Sequence, residues 1–273
     1  MTLQSRIIKS RVMVGLAAAA FFIILIPLFS ILLEVVSRGV GVLSWTFLTS
    51  LPKPPGEAGG GIGNAIQGSL TIVGLTCLFS IPLSILASIY LSEYQGKLAN
   101  VIRFLTEVLS GTPSIVAGIF AYSIIVTYRG FSATSGAVAL SILMIPTVII
   151  TTHDSLREVP QLVREGAIAL GISKWRVSIS VVLRSAMVGV ATGIILGVAR
   201  VFGETAPLLF TAFGNLYWAT GVAGPMDALP LRIYNYAISP YADWQAQAWG
   251  AALVLLIIVL LLNVSIRILG RKR

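Results

Sequence analysis

Two charged side chains lie inside a long apolar stretch, in the sequence VARVFGETAPLLF at positions 198–210. Arg200 and Glu204 are four residues apart, so their side chains can interact if the segment is helical. A guanidinium keeps its charge and offers a planar fork of donors that matches an oxyanion, and a nearby carboxylate would weaken that attraction. Charges inside apolar segments are costly and usually line a pathway. The alternative is an ion pair that only clamps neighbouring helices together.

A stripe of small residues at four-residue spacing precedes the two charges: Gly189, Gly193 and Gly197. Such a stripe lets another helix approach closely. Because eleven residues bring a helix back to nearly the same direction, Arg200 lies above the first glycine and Glu204 above the second. We therefore expect a buried pair that faces packed protein, not lipid. Pro207 is expected to interrupt the helix just beyond the pair and to free backbone groups along a water-filled path.

The composition indicates a membrane protein. Of the 273 residues, 56% are hydrophobic and 11% are charged, whereas soluble domains are about 25% charged. The net charge of +9 is no sign of nucleic-acid binding, since the 19 basic residues are scattered between apolar segments. Cys77 is the single cysteine and His153 the single histidine, which excludes disulfides and argues against multi-histidine metal sites and His-based triads.

Six apolar windows of about 20 residues predict six spanning helices, at approximately 13–36, 64–91, 101–127, 134–152, 186–212 and 247–268. We divide the chain at residue 63, with the first helix and an outside loop in 1–63 and a five-helix core in 64–273. Fourteen of the basic residues fall in the segments that would share a side with both termini. Since cytoplasmic loops carry the excess of Lys and Arg, both termini are predicted to lie in the cytoplasm.

The loop at 153–185 is too polar to span a membrane, and two short helices fit it. Pro160 suits the first turn of one helix, Gly171 suits the position just past its end, and Ser173 can cap a second helix near Lys174. Apolar residues line one face of the first helix: Leu156, Val159, Val163, Ala167 and Leu170. The alternative is an amphipathic pair lying on the lipid surface.

The stretch EGAIALG at 165–171 resembles the cytoplasmic loop motif of ATP-binding-cassette (ABC) importer permeases. Glu165, Ala167 and Gly171 match that motif, Gly166 replaces the usual alanine, and Arg184 stands where a later proline is usual. The resemblance implies that this loop docks into a groove on a nucleotide-binding subunit, with small residues allowing close approach.

Four further stretches resemble the PstA-type permease family of the phosphate ABC importer: 199–212, 111–120 (GTPSIVAGIF), 144–149 (MIPTVI) and 157–160 (REVP). The resemblance implies an all-α, multi-pass protein of the cytoplasmic (inner) membrane, with six transmembrane helices in the type I ABC importer permease fold and a cytoplasmic coupling-helix loop. It also implies a role in moving inorganic phosphate, and partners: a PstC-type permease, a PstB-type ATPase dimer and a PstS-type extracytoplasmic phosphate-binding protein.

The chain contains no Gly-x4-Gly-Lys-Ser/Thr cradle for nucleotide phosphates, because its single Gly-Lys pair is followed by Leu98. We therefore expect no cofactor in this chain and no enzymatic activity of its own, with ATP and Mg bound by the partner ATPase. Two alternatives stay open: a permease of the same class for sulfate or molybdate, and a membrane-embedded enzyme. One further intramembrane acid, Glu107, is expected to form a salt bridge with Arg103 near the cytoplasm.

Overall fold

The computed structural model describes residues 3–57 and 59–271, with side chains from 9 to 57 and from 59 to 265. The described chain folds almost entirely as helix, and its α-helices are α1 (Leu3–Gly39), α2 (Trp45–Thr49), α3 (Gly63–Glu93), α4 (Lys97–Ser110), α5 (Ser114–Ala121), α6 (Thr127–Arg129), α7 (Ala133–Arg157), α8 (Gln161–Ala169), α9 (Lys174–Val177), α10 (Leu183–Ser185), α11 (Met187–Phe202), α12 (Ala206–Thr211), α13 (Leu229–Ala237) and α14 (Ala242–Arg271). Single π-helical turns join α5 to α6 and α9 to α10.

Four helices are long and apolar enough to cross a membrane alone: α1, α3, α7 and α14. Two further spans exist if each bent pair counts as one, namely α4 with α5–α6, bent by 110°, and α9–α10 with α11, bent by 75°. The prediction of an all-helical, multi-pass chain is confirmed. The orientation of the termini and the division at residue 63 stay predictions, and two basic residues that the orientation argument counts, Lys272 and Arg273, lie outside the described residues.

The third predicted span, 101–127, is broken where α4 ends at Ser110 and α5 begins at Ser114. Pro113 holds the connecting backbone extended, with φ −60° and ψ 140°, and has no N–H to donate to a continuing helix. The prediction of one straight helix here is therefore wrong, because the chain turns by 110° at this proline.

The fifth predicted span, 186–212, is also broken, since α11 ends at Phe202 and α12 begins at Ala206. The predicted interruption of the helix near Pro207 is confirmed, but its predicted position beyond the charged pair is wrong. Pro207 lies in the first turn of α12, where its missing N–H costs nothing, and in a continuous helix its ring would clash with the carbonyl of Gly203. The break spans residues 203–205, so it follows Arg200 and contains Glu204.

Helix α7 lies at the centre and packs against α3, α4, α5, α11 and α12. Its contact with α3 is a seam of buried hydroxyls: Ser84 Oγ donates to the Ile145 carbonyl at 3.3 Å, and Ser88 Oγ donates to the Ile149 carbonyl at 3.1 Å. Because these bonds reach backbone carbonyls of the other helix, they fix the register of α3 on α7.

The glycine stripe of α11 packs on another face of α7, so the predicted close approach of a neighbouring helix is confirmed. A Cβ at Gly193 would lie 2.1 Å from Thr151 Oγ1, and a Cβ at Gly197 would lie 2.8 Å from Val148 Cγ2. Only glycine permits this approach, so α11 sits directly on the central helix.

The segment after α12 is fixed to the start of α3. Gln67 Nε2 donates to the Ala219 carbonyl at 3.0 Å and Ser69 Oγ accepts from the Leu229 N–H at 2.7 Å. Arg232 Nε donates to Asp227 Oδ2 at 2.8 Å, and both side chains are buried. Burial raises the pKa of Asp227, and the neighbouring guanidinium offsets part of that rise.

Candidate functional site

Arg200 occupies the last turn of α11 and reaches across to α7. Its Nη1 donates to Thr147 Oγ1 at 3.3 Å, and its Nε lies 3.9 Å from Glu204 Oε1. The predicted interaction between Arg200 and Glu204 is therefore present as a loose ion pair. Glu204 does not belong to the same helix as Arg200, because it lies two residues past the end of α11.

The side chains of Arg200 and Glu204 are more exposed than the sequence predicts. The Arg200 side chain is 42% exposed and that of Glu204 is 19% exposed, so the expectation of a buried pair is wrong for the arginine. In the described part of the chain, the guanidinium donates one hydrogen bond, to Thr147. Since a guanidinium has five N–H groups, most of its donors are available to a ligand.

The two broken spans meet beside this pair. A Cβ at Gly118 in α5 would lie 2.7 Å from the Cα of Pro207 at the start of α12. The stretch GTPSIVAGIF therefore has two structural tasks: Pro113 bends the chain, and Gly118 lets α5 lie directly against α12. Neither task was assigned from the sequence, and that of Gly118 depends on contact with a segment nearly ninety residues away.

The loop at 153–185 contains the two predicted helices joined by a glycine turn. α8 ends at Ala169, α9 begins at Lys174, and Gly171 has φ +81°, a conformation that favours glycine. Glu165 and Gly166 are exposed, whereas Ala167 is buried. Ser173 occupies the cap position of α9 but makes no side-chain cap hydrogen bond, so that part of the prediction is wrong.

The buried face of α8 is narrower than predicted. Ala167 packs in an apolar cluster with Leu156 and Val159, but Val163 is 40% exposed and Leu170 is 81% exposed. Leu170 turns outward because α8 ends at the residue before it. Leu162 and Trp175 are exposed as well, so α8 and the start of α9 present an exposed apolar surface of separate large side chains. Such a surface suits contact with another protein or with lipid.

Arg164 is a residue of this loop whose contacts the sequence did not reveal. Its guanidinium forms an ion pair with Glu93 at the end of α3 and donates to the Leu156 carbonyl at 2.6 Å. An arginine on a short amphipathic helix is expected to be solvated, so no local pattern signals these bonds.

The expected salt bridge between Arg103 and Glu107 does not form within the described residues. Both side chains instead line a cavity of about 330 Å³ together with His153 and Arg157. No group of three or more His, Cys, Asp or Glu side chains in the described ranges is arranged to hold a metal ion.

A family model described as "Binding-protein-dependent transport system inner membrane component" matches residues 80–273. The phosphate transport system permease protein PstA of Yersinia pestis is 41% identical over 268 residues, which are 97% of this chain and 91% of that protein. The protein of the same name from Pasteurella multocida is 42% identical over 266 residues, covering 96% of this chain and 95% of its own length.

Solved structures of two ABC transporters share the fold. A chain of a bacterial alginate ABC transporter, in complex with an alginate pentasaccharide-bound periplasmic protein, superposes with a TM-score of 0.70 at 12% identity over 99% of this chain and 97% of its own. A chain of the inward-facing MetNI methionine ABC transporter superposes with a TM-score of 0.60 at 16% identity, over 77% and 96% of the two chains. At these identities the likeness concerns the fold alone.

Proposed function

The chain belongs to the family of binding-protein-dependent transport system inner membrane components, and within it we propose that this chain is the permease subunit through which an ATP-driven importer moves inorganic phosphate. Relatives named as phosphate transport system permeases, 41% and 42% identical over almost the whole chain, support this substrate. The observation that carries the proposal is the half-exposed guanidinium of Arg200, loosely paired and placed where a spanning helix breaks.

Arg200 supplies the attraction for the anion. Its unpaired N–H groups match the oxygens of phosphate, and charge-assisted hydrogen bonds of this kind are strong. Glu204, at 3.9 Å, opposes the anion and prevents the site from becoming a trap. The carboxylate can also accept a proton from phosphate, which fully ionised sulfate cannot offer.

The remaining subunits follow from the division of labour in such importers. A PstC-type permease would complete the pathway, a PstB-type ATPase dimer would bind ATP and Mg, and a PstS-type protein would deliver phosphate from outside the cell. The exposed apolar surface of α8, with Glu165 and Gly166 beside it, supports the docking of this loop on the ATPase. The loop and both termini then lie in the cytoplasm, and the protein is a multi-pass component of the inner membrane.

Uptake by the reconstituted complex tests the role of the charged pair. Arg200→Gln should nearly abolish phosphate uptake while leaving complex yield unchanged, because one charged contact is lost where the anion is least hydrated. Glu204→Gln should slow phosphate release and weaken the discrimination against sulfate. A structural clamp behaves differently, since the double neutral variant would leave no unpaired charge and would transport normally. Normal transport by that double variant would refute the pathway role.

Competition defines the substrate. Excess sulfate or molybdate should leave the uptake of labelled phosphate unchanged, whereas unlabelled phosphate should suppress it. Complete suppression by molybdate or sulfate, with little effect of phosphate, would assign the permease to another oxyanion.

Impermeant thiol reagents test the orientation. In a Cys77→Ala background, Glu57→Cys should react in right-side-out vesicles and Ser173→Cys should be protected, since both positions are exposed on opposite sides of the predicted bilayer. The reverse pattern would place the loop at 153–185 outside and remove its contact with the ATPase.

A further inference from the structure

Arg164 joins the short helix α8 to the ends of two spanning helices. Its guanidinium is paired with the carboxylate of Glu93, the last residue of α3, and lies 3.4 Å from Ser92 Oγ. The same guanidinium donates at 2.6 Å to the carbonyl of Leu156, in the last turn of α7. Only 12% of the Arg164 side chain is exposed. One side chain therefore holds three helices together.

The position suits a cation for two physical reasons. The carbonyls of the last turn of a helix have no partner within that helix, and the helix dipole places partial negative charge there. Both α3 and α7 end beside Arg164. The planar fork of arginine spreads five N–H donors over three nitrogen atoms and so reaches acceptors on both ends, whereas the three donors of lysine all leave one nitrogen atom.

The loop has apolar packing in addition to the bonds of Arg164. Ala167, Val177 and Val182 pack in an apolar cluster with Leu156 and Val159, and the Leu156 carbonyl also accepts from Arg164. Apolar packing holds α8 near α7, but it is not directional and does not set the orientation of α8. Hydrogen bonds depend on direction, so those of Arg164 set that orientation.

The helices that Arg164 ties together continue to the charged pair. Ser84 and Ser88 bond α3 to carbonyls of α7, the glycines of α11 lie directly on α7, and Thr147 of α7 accepts from Arg200. A series of packed and hydrogen-bonded groups thus connects α8 to Arg200 and Glu204.

We propose that Arg164 is a positioning residue that makes α8, α3 and α7 move as one unit, so that a displacement of the loop reaches Arg200. This inference rests on the proposed role of the loop as the contact for the ATPase. Without Arg164, the loop would still fold and dock, but its displacement would be absorbed at the junction with α3 and α7. ATP hydrolysis would then continue with less transport.

The test measures phosphate transported per ATP hydrolysed by the reconstituted complex. Arg164→Met keeps the length and apolar stem of the side chain but removes its charge, and Glu93→Gln removes the other charge. Each should lower the ratio at least threefold while ATP hydrolysis is retained. Arg164→Lys should fall between these variants and wild type, and the exchanged pair Arg164→Glu with Glu93→Arg should recover part of the ratio.

Arg157→Met is the matched control, because Arg157 lines a cleft together with Glu93 and Arg164 and forms no ion pair among the described side chains. Its ratio should equal that of wild type. A wild-type ratio in both Arg164→Met and Glu93→Gln would overturn the inference. A wild-type complex that couples no phosphate transport to ATP hydrolysis would instead overturn the proposed function.

Hydrogen exchange gives a readout that does not need transport. In the intact complex, Arg164→Met should speed exchange of the α8 amides at 161–169 and leave α14 unchanged, because the anchor of α8 is lost. Should Arg164→Met fail to assemble, Glu93→Gln replaces it in the same measurement. Unchanged α8 exchange in the variant that assembles would show that the ion pair does not hold the helix, and would overturn the inference.

Discussion

Gly189 offers the sharpest test of the packing between α11 and α7. A Cβ at this position would lie 2.2 Å from Ser155 Oγ and 2.6 Å from Ser155 Cβ, but 3.7 Å from Ser155 Cα. Carbon atoms normally approach to about 3.5–4.0 Å. Ser155 can rotate its hydroxyl away but cannot move its Cβ. The variant Gly189→Ala must therefore push the two helices apart.

The size of the effect follows from two opposing contributions. Overpacking of this kind costs about 1–3 kcal/mol, and replacing glycine by alanine inside a helix returns about 1 kcal/mol. Gly189→Ala should therefore destabilise the protein by about 1 kcal/mol. Adding Ser155→Gly removes both clashing atoms and costs about 0.5 kcal/mol of helix propensity. The double variant should be close to wild type.

The assay is the thermal midpoint of the purified complex in detergent. One kcal/mol corresponds to about 2–4 °C for a chain of this size, so the single variant should fall by that amount and the double variant should recover. Gly74→Ala is the control, because no atom lies within 4 Å of its Cβ. A Gly189→Ala midpoint at or above wild type, or a double variant no better than the single, would refute the close packing of these helices.

Three further glycine substitutions test two close contacts and one turn with a positive φ. Gly118→Ala places a Cβ 2.7 Å from Pro207 Cα, so it should lower both the thermal midpoint and phosphate uptake. Gly68→Ala places a Cβ 1.9 Å from the Asp227 carbonyl oxygen, so limited proteolysis should cut the segment after α12 faster. Gly171→Ala meets no atom within 4 Å but strains a backbone with φ +81°, so substrate-stimulated ATP hydrolysis should fall while complex yield is retained.

For each of these substitutions, one outcome would contradict the structural argument behind the prediction. Unchanged uptake and midpoint in Gly118→Ala would mean that α5 does not rest on α12. Proteolysis of Gly68→Ala at the wild-type rate would mean that the segment after α12 is not held on α3. Full ATPase stimulation in Gly171→Ala would mean that the turn tolerates another residue.

The spanning segments were predictable because the apolar core of a bilayer offers the backbone no hydrogen-bonding partners. Every N–H and C=O must be satisfied internally, so length and apolarity suffice to find the helices. The breaks were not predictable from proline alone. Prolines also lie inside continuous helices, at Pro27, Pro82 and Pro146. Pro113 stands at a break between two helices, and Pro207 stands at a break where Gly118 of α5 packs against it, which is a property of the fold.

The residues of the candidate site also divide into those that the sequence reveals and those that it does not. Arg200 and Glu204 were found from charge and spacing, which are local properties of the sequence. Arg164 was not, since its partner Glu93 lies 71 residues earlier in the chain and only the meeting of α3 with α7 brings them together. A long-range ion pair leaves no mark on the periodicity of either helix.

The break that follows Arg200 and contains Glu204 has a mechanical consequence that a continuous helix would lack. In one α-helix, residues four apart keep a fixed separation. Here Arg200 belongs to α11, which lies on α7, whereas Glu204 precedes α12, which rests on α5 through Pro207. The two charges are therefore held by different helices, although α11, α12 and α5 all also contact α7, and any shift of α12 relative to α11 changes the 3.9 Å between Arg200 Nε and Glu204 Oε1. Under the proposed role of the pair, such a shift would also alter how tightly phosphate is held, because the carboxylate weakens the attraction of the guanidinium for an anion according to that distance.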